Sequence, residues 1–301
     1  MHRQLLLSLL VATCFGTVPT LAQELTGTLK KIKETGAITL GHRESSVPFS
    51  YYDDRQQVVG YAMDLCAGIV DRVKSELKLP KLETKLNPVT SATRIPLMAN
   101  GTIDLECGST TNNLERQKQV SFTITHFVTA NRFVSKKSAN LHTVDDLKGK
   151  TVVSTSGTTN IKQITEIGAQ KGLNLNVLAA KDHAEAFLMV ETGRAAAFVM
   201  DDILLYSLVA AAKSPKDYVI STDALSVEPY GIMLRRDDPS FKKVVDEAMI
   251  ATYRSGAINP IYEKWFLKPI PPKNINLNVP VSDAFKKVIA SPTDSGDPAV
   301  Y

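Results

Sequence analysis

The sequence has few cysteines, no strong excess of either charge and no long apolar run after its first residues. Its three cysteines, at positions 14, 66 and 107, form no C-x-x-C pair in 301 residues, which argues against a disulfide scaffold or a zinc site. The 35 Lys and Arg against 31 Asp and Glu are scattered, so a nucleic-acid-binding arm is not expected. The longest later apolar stretch, 195–212, is interrupted by two aspartates, which argues against a membrane-spanning helix there. These absences leave an ordinary globular chain of twice the commonest domain size.

The first 22 residues read as a secretory signal peptide. A basic start precedes a short apolar run over residues 5–12, and small residues approach Ala22. The run is too short for a membrane anchor. The alternative is a lipoprotein signal with Cys14 as the lipidated residue, but the apolar run continues past that cysteine. We therefore expect an exported, soluble mature chain that begins near residue 23.

The remaining chain reads as two successive α/β units. Apolar periodicity and turn residues predict strands at 37–41, 82–86, 103–107, 151–154, 176–180 and 195–200, with helices at 61–77, 91–99, 160–170 and 184–192. A return to the first unit is predicted at 230–234, followed by a helix at 241–253, with crossings at 127–133 and 226–230. The doubled length therefore indicates two lobes, each an open sheet flanked by helices.

Polar side chains follow the predicted strand ends in both lobes, where open α/β sheets bind ligands. The first lobe carries Arg43, Ser91, Arg94, Ser109, Thr111 and Arg116, and the second carries Thr158, Thr159, His183 and Asp201. The arginines match carboxylates, the hydroxyls and a helix N-terminus form a further anion site, and an aspartate accepts from an ammonium. Two carboxylates and one ammonium describe an acidic amino acid. We expect no metal and no cofactor.

Each of these residues also has a purely structural interpretation. An arginine at a strand end is often a surface charge, and Ser91, Thr158 and Thr159 are equally good helix N-caps. Asp201 could cap the helix that follows it. The prediction of a site depends on the joint pattern, because six strand ends from two lobes carry groups of the needed kind.

The chain resembles the periplasmic solute-binding proteins of polar amino acid ABC transporters, in particular the glutamate/aspartate-binding members of that family. The resemblance is carried by G-H-R-E-S-S-V-P-F-S-Y-Y-D at 41–53, by T-S-A-T-R-I-P-L-M-A-N-G-T-I-D-L-E-C-G-S-T-T-N-N-L-E-R-Q-K-Q at 90–119, and by T-S-G-T-T at 155–159. Further matches are A-K-D-H at 180–183, G-R-A-A-A-F-V-M-D-D at 193–202 and I-P-P-K-N at 270–274. These blocks run across nearly all of the mature chain.

The resemblance implies a type II, Venus-flytrap fold that captures L-glutamate or L-aspartate between its lobes in the periplasm and delivers it to an inner-membrane ABC permease. The implied organisation is a monomer with lobe 1 at 23–127 and 229–268, lobe 2 at 128–228 and a tail at 269–301. Arg43, Ser91, Arg94 and His183 would hold the side-chain carboxylate. Arg116, Ser109, Thr111 and Thr159 would hold the α-carboxylate or α-amino group, and Asp201 the ammonium. A titrating His183 would make affinity rise as the pH falls.

The cysteines depart from the family pattern. Glutamate-binding members pair the cysteine of E-C-G-S with one that follows Y-G, where this chain has Ile232. Cys107 could pair instead with Cys66, as an oxidising compartment permits, or stay a buried free thiol. We favour the disulfide.

Two other classes of function compete with a transport protein. The same fold hosts exported dehydratases, which would need a general acid such as His183 or Glu44 beside the substrate. No G-x-S-x-G, H-E-x-x-H or P-loop motif is present, which argues against an enzyme. A receptor's sensing domain is disfavoured because no transmembrane pattern follows residue 268. The proline-rich tail reads as an extended strap with one helix near 283–290.

Overall fold

The computed structural model describes residues 24–301, so the predicted signal peptide and Cys14 lie outside the described residues. The strands are β1 (Ala37–His42), β2 (Ser45–Ser46), β3 (Ser50–Tyr52), β4 (Val58–Val59), β5 (Glu83–Pro88), β6 (Leu105–Cys107), β7 (Val120–Phe122), β8 (Phe127–Lys136), β9 (Thr151–Thr155), β10 (Asn176–Ala180), β11 (Ala197–Asp201), β12 (Tyr218–Ile220), β13 (Ser226–Tyr230) and β14 (Met233–Arg235). The helices are α1 (Gly27–Thr35), α2 (Tyr61–Leu77), α3 (Arg94–Ala99), α4 (Thr159–Gln170), α5 (His183–Glu191), α6 (Asp202–Ala211), α7 (Pro239–Arg254), α8 (Ile258–Tyr262) and α9 (Asp283–Ala290).

The first lobe is built around a five-stranded sheet in the order β5-β1-β6-β14-β7. β1 runs parallel to β5 and β6, as helical crossovers require, whereas β14 is antiparallel to β6 and β7. The chain thus returns to this sheet after leaving the second lobe. A small antiparallel sheet, β2-β3-β4, extends from the end of β1.

The second lobe is built around a six-stranded sheet in the order β10-β9-β11-β8-β12, with β13 also paired to β8. β9 is parallel to β10 and β11, and β8 is antiparallel to β11, β12 and β13. β8 and β13 lie side by side with Phe127 opposite Tyr230, close to the points where the chain passes between the lobes. The two-lobed mixed α/β fold predicted from the sequence is confirmed.

Apolar spacing accounts for the helices that cover the sheets. In α2, Leu65, Ile69, Val73 and Leu77 recur at helical spacing, and all four are buried. α4 begins where the Thr158 side chain accepts from a backbone N–H, and α5 begins in the same way at Asp182. The helix predicted at 91–99 starts later than expected, at Arg94, because residues 91–93 form a turn.

Several elements were not predicted from the sequence: helices α1 and α8, strands β7 and β12, and the small β2-β3-β4 sheet. β2 and β4 contain only two residues each, too few for an alternating pattern to be recognised. The tail does contain its predicted helix, and Phe285 and Val288 of α9 are buried in the core. Among residues 24–301, none of the helices combines the length and apolar character needed to cross a membrane.

Cys66 and Cys107 form a disulfide in the structure, with a Cα–Cα distance of 6.2 Å. Both residues are fully buried. The bond joins the middle of α2 to the end of β6, immediately before the Gly108–Thr111 segment that reaches the site described below. Of the two alternatives for Cys107, the structure has the disulfide with Cys66 and not the free thiol.

Candidate functional site

A narrow cavity of about 10 Å³ lies where the strand ends of the two lobes meet. It is lined by Ser91, Arg94, Ser109, Thr111, Thr158, Thr159, Asn160, His183, Met200, Asp201 and Leu204. Eight of the ten predicted site residues are in this lining. Arg43 and Arg116, the other two, are buried beside it. The structure therefore brings the polar strand ends of both lobes to one place.

Arg94 is fixed at one end of the cavity by the segment that follows β6. Its Nη1 donates to the Ser109 carbonyl at 3.3 Å and to Thr110 Oγ1 at 2.5 Å, and it lies 4.0 Å from the carboxylate of Glu106. Its Nε has no hydrogen-bond partner in the protein. Burial lowers the pKa of Arg94, although the negative charge of Glu106 opposes this shift. The guanidinium thus keeps a free donor for an anion.

Arg43 adds a second buried guanidinium at the same end. It is 2 % exposed, and its Nη1 has no partner. Burial and the charge of Arg94 lower the pKa of Arg43 to about 10, so this guanidinium stays protonated at neutral pH. Two neighbouring cations with free donors favour a carboxylate between them.

His183 reaches this end of the cavity from the second lobe. Its Nδ1 lies 2.8 Å from Thr155 Oγ1, and its Nε2 has no partner. Burial, followed by the charges of Arg43 and Arg94, lowers the pKa of His183 well below 6.5. The imidazole is therefore neutral near pH 7, and its lowered pKa does not support the expectation that protonation strengthens binding as the pH falls.

Arg116 connects the two lobes. Its Nη1 donates to the Thr111 carbonyl at 2.8 Å in the first lobe, and its Nη2 donates to the Gly157 carbonyl at 3.2 Å in the second. Burial and the charge of Arg94 lower the pKa of Arg116 to about 9. Gly157 also lies against the first lobe, since a Cβ there would stand 2.5 Å from Ala92 Cα. These contacts hold the lobes in a closed arrangement.

The N-terminus of α4 forms the other predicted anion site, but its hydroxyls serve the protein itself. Thr158 Oγ1 donates to the Thr155 carbonyl at 2.7 Å and accepts from Ile161 N at 3.3 Å, as a helix cap does. Thr159 Oγ1 donates to Glu228 at 3.0 Å. The Thr158 side chain therefore acts as a helix cap. The backbone N–H groups at the start of α4 remain available for an anion.

Asp201 provides the acidic group at the start of α6. Its Oδ1 accepts from Asn160 Nδ2 at 2.7 Å, and its Oδ2 accepts from the Tyr230 hydroxyl. Burial and the negative charge of Glu228 raise the pKa of Asp201 to about 7. A cation placed beside this carboxylate would stabilise its charged form.

Five buried polar atoms without partners lie around this cavity. They are Ser91 Oγ, Ser109 Oγ, Arg94 Nε, Arg43 Nη1 and His183 Nε2. Buried polar groups are normally hydrogen-bonded, so a polar ligand is the natural partner for this set. The geometry offers anion donors at two places and one acid, and within residues 24–301 no three His, Cys, Asp or Glu side chains are grouped to hold a metal ion.

Residues 38–268 match the model of the bacterial extracellular solute-binding proteins, family 3. The chain belongs to this family. Among curated relatives, the family 3 protein is 54% identical over 290 residues to the L-glutamate/L-aspartate-binding protein of Pseudomonas aeruginosa, with 96% of each chain covered. It is also 48% identical over 267 residues to the glutamate/aspartate import solute-binding protein of Escherichia coli K12, which covers 89% of this chain and 88% of the relative.

The solved structures agree with this family assignment. A mutant of ArgBP from T. maritima superposes with a TM-score of 0.70 at 28% identity, covering 79% of this chain and 98% of that one. These relatives are solute-binding proteins, so the comparisons confirm the prediction of a family 3 binding protein rather than an enzyme. They give no support to the dehydratase alternative.

Several residues around the site of this family 3 protein were missed by the sequence analysis. They are Glu106, Gly157 as a lobe contact, Asn160, Glu228 and Tyr230. Glu106 carried a usable signal, because an acid inside the apolar strand I-D-L-E-C must find a buried partner. Glu228 bonds to residues 65 and 69 positions away, which sequence spacing does not reveal.

Proposed function

We propose that this protein captures L-glutamate or L-aspartate in the cavity between its lobes and delivers it to an ABC importer. The observation that carries the proposal is a set of buried polar groups at one cavity, where Arg43 and Arg94 have donor atoms without a partner and Asp201 supplies an acid. The names of the curated relatives support the same ligands. A neutral amino acid would leave one guanidinium pair at the cavity without a counter-charge.

The proposed roles divide the cavity between the two ends of the ligand. Arg43, Ser91, Arg94 and His183 hold the side-chain carboxylate, with His183 donating or accepting as a neutral imidazole. Arg116, Ser109, Thr111 and the N-terminus of α4, which includes Thr158 and Thr159, hold the α-carboxylate or α-amino group. Asp201 accepts from the ammonium. Donors without a partner on both lobes support the first of these sets, since Arg43 Nη1 and Arg94 Nε belong to lobe 1 and His183 Nε2 belongs to lobe 2.

The contacts are sufficient for useful affinity. Charge-assisted hydrogen bonds contribute about 1.5–3 kcal/mol each, so four contribute roughly 6–12 kcal/mol. Micromolar binding needs about 8 kcal/mol after the costs of ordering and desolvation. Because both lobes contact one ligand, the ligand shifts the population toward the closed state.

We further propose the organisation expected from the sequence. Residues 1–22 are removed on export to the periplasm, with processing there rather than lipidation of Cys14. Residues 23–127 and 229–268 form lobe 1, residues 128–228 form lobe 2, and the monomer presents the closed lobes to an inner-membrane permease. N-terminal sequencing of the exported protein and its size in solution test the first and last of these statements.

Titration calorimetry with L-glutamate, L-aspartate, L-glutamine and L-asparagine tests the proposed function. The two acids should bind at micromolar concentration or tighter, and the two amides much more weakly. Equal affinity for L-glutamine and L-glutamate would refute the proposal, because the amide lacks the charge that Arg43 and Arg94 are placed to neutralise.

A further inference from the structure

The last ten residues, 292–301, form a segment that we call the C-terminal strap. The family match ends at residue 268, so the family's own model does not describe the strap. The strap lies against the loop that carries Arg116. We infer that it positions this arginine for the ligand, an inference that rests on the proposed function.

One carbonyl of the strap joins the two ends of the Arg116 loop. The Asp294 carbonyl accepts from Asn112 Nδ2 at 2.8 Å and from Gln117 Nε2 at 3.0 Å. Gln117 Nε2 also donates to Asn112 Oδ1 at 2.9 Å. Arg116 lies between these two residues in the chain, and its backbone N–H donates to Asn113 Oδ1 at 2.8 Å. The loop is therefore closed on itself through the strap.

The strap also contacts the backbone of the loop directly. Gly296 fits so closely that a Cβ at this position would stand 2.8 Å from Asn113 C and 2.8 Å from Leu114 N. Gly296 does not adopt a positive φ, so a side chain there is excluded by contact and not by backbone strain. Any larger residue must push the strap and the loop apart.

The strap is anchored independently of the loop. The Thr293 carbonyl accepts from Thr125 N at 2.8 Å, and the Tyr301 hydroxyl lies 2.7 Å from Thr125 Oγ1. The carboxylate of Asp294 forms an ion pair with Lys242 of α7 at 2.8 Å. The strap thus links the Arg116 loop to the core of the first lobe.

The same loop is connected to the hinge and to the acid of the site. Asn112 N donates to the Pro229 carbonyl of β13 at 2.8 Å, and Thr111 pairs with Tyr230, whose hydroxyl donates to Asp201. A displaced strap would move the loop that holds Arg116 and Thr111, while the Arg43 and Arg94 end of the cavity stays in place. The strap should therefore affect the α-carboxylate end of the ligand selectively.

The test is calorimetric titration of L-glutamate into Gly296→Val, with Val300→Ala as the control because Val300 is 54% exposed on the same strap. Gly296→Val should raise the dissociation constant about tenfold, equivalent to losing about one charge-assisted hydrogen bond. Val300→Ala should bind as the wild type does. Binding of Gly296→Val at wild-type affinity overturns the inference.

A double-mutant cycle separates positioning of Arg116 from a general loss of structure. In an Arg116→Lys background, the bidentate contact is already lost. Gly296→Val should therefore raise the dissociation constant by much less than tenfold there. In a Ser91→Ala background, at the other end of the cavity, its full tenfold effect should remain. Equal effects in both backgrounds would assign the strap a purely structural role. Failure of the wild type itself to bind L-glutamate would instead refute the proposed function.

Discussion

Replacement of Gly157 by alanine should prevent full closure of the lobes. A Cβ at this position would stand 2.5 Å from Ala92 Cα and 2.7 Å from Ala92 N, both backbone atoms of the opposite lobe. Backbone atoms cannot rotate away as a flexible side chain can. Restoring an ordinary contact distance of about 3.5–4 Å therefore requires the lobes to separate by roughly 1 Å.

This separation would break the hydrogen bond that crosses between the lobes at the same residue. Arg116 Nη2 donates to the Gly157 carbonyl at 3.2 Å, and an added ångström takes the pair beyond hydrogen-bond distance. A hydrogen bond from a charged group contributes about 1.5–3 kcal/mol. We therefore expect Gly157→Ala to raise the dissociation constant for L-glutamate about 10- to 150-fold.

Gly193→Ala is the matched control for Gly157→Ala. Both glycines have a φ of +76°, so alanine introduces the same backbone strain at each, but a Cβ at Gly193 meets nothing within 4 Å. Calorimetry should show weakened binding for Gly157→Ala alone, and small-angle scattering should show that this variant stays more open with ligand. Equal affinities for the two variants would refute the role of the Gly157 contact in closure.

Three further predictions follow from the site. Arg94→Ala should weaken the binding of L-glutamate at least about tenfold more than that of L-glutamine, because only the acid loses a charged partner. Equal losses of affinity for the two ligands, measured by calorimetry, would contradict this role of Arg94. A bound ammonium should lower the pKa of Asp201 from about 7, so binding should weaken about tenfold per pH unit below 7 and should release protons. Calorimetry in buffers of different ionisation enthalpy measures the proton release, and tighter binding at low pH would exclude this role of Asp201. Glu115 and Lys162 form an exposed ion pair between the lobes. Glu115→Lys should weaken binding up to about fivefold, and adding Lys162→Glu to that variant should restore it. A double variant that binds no better than Glu115→Lys alone would argue against a contact that supports closure.

The sequence predicted which residues meet at the cavity wherever a residue stands close to the end of its own strand. Ser109 and His183 each follow a strand within three residues, and parallel strands bring their carboxyl ends to one edge of a sheet. Their placement therefore needs no knowledge of distant contacts. The same reasoning predicted two lobes, because the β-α-β order repeats along the chain.

Residues whose role comes from distant partners could not be predicted in this way. Thr158 looked like a ligand residue, but its hydroxyl caps α4, and a lone threonine before a helix does not distinguish these roles. His183 looked like a titrating group, but burial, followed by the charges of Arg43 and Arg94 far away in sequence, lowers its pKa. A pKa depends on burial and on neighbouring charges, and neither is visible in the local sequence.

The distribution of charge between the lobes explains why closure should depend on the ligand. Arg43, Arg94 and Arg116 all come from the first lobe, and burial is the main cause of the lowered pKa of each. Closing the second lobe over them removes three cations from water, which is costly unless anions replace the lost hydration. The second lobe offers Asp201, which is already hydrogen-bonded to Asn160 and Tyr230. A dicarboxylic amino acid supplies the missing negative charges and so lowers the free energy of the closed state. A monocarboxylic amino acid would leave one guanidinium without a counter-charge.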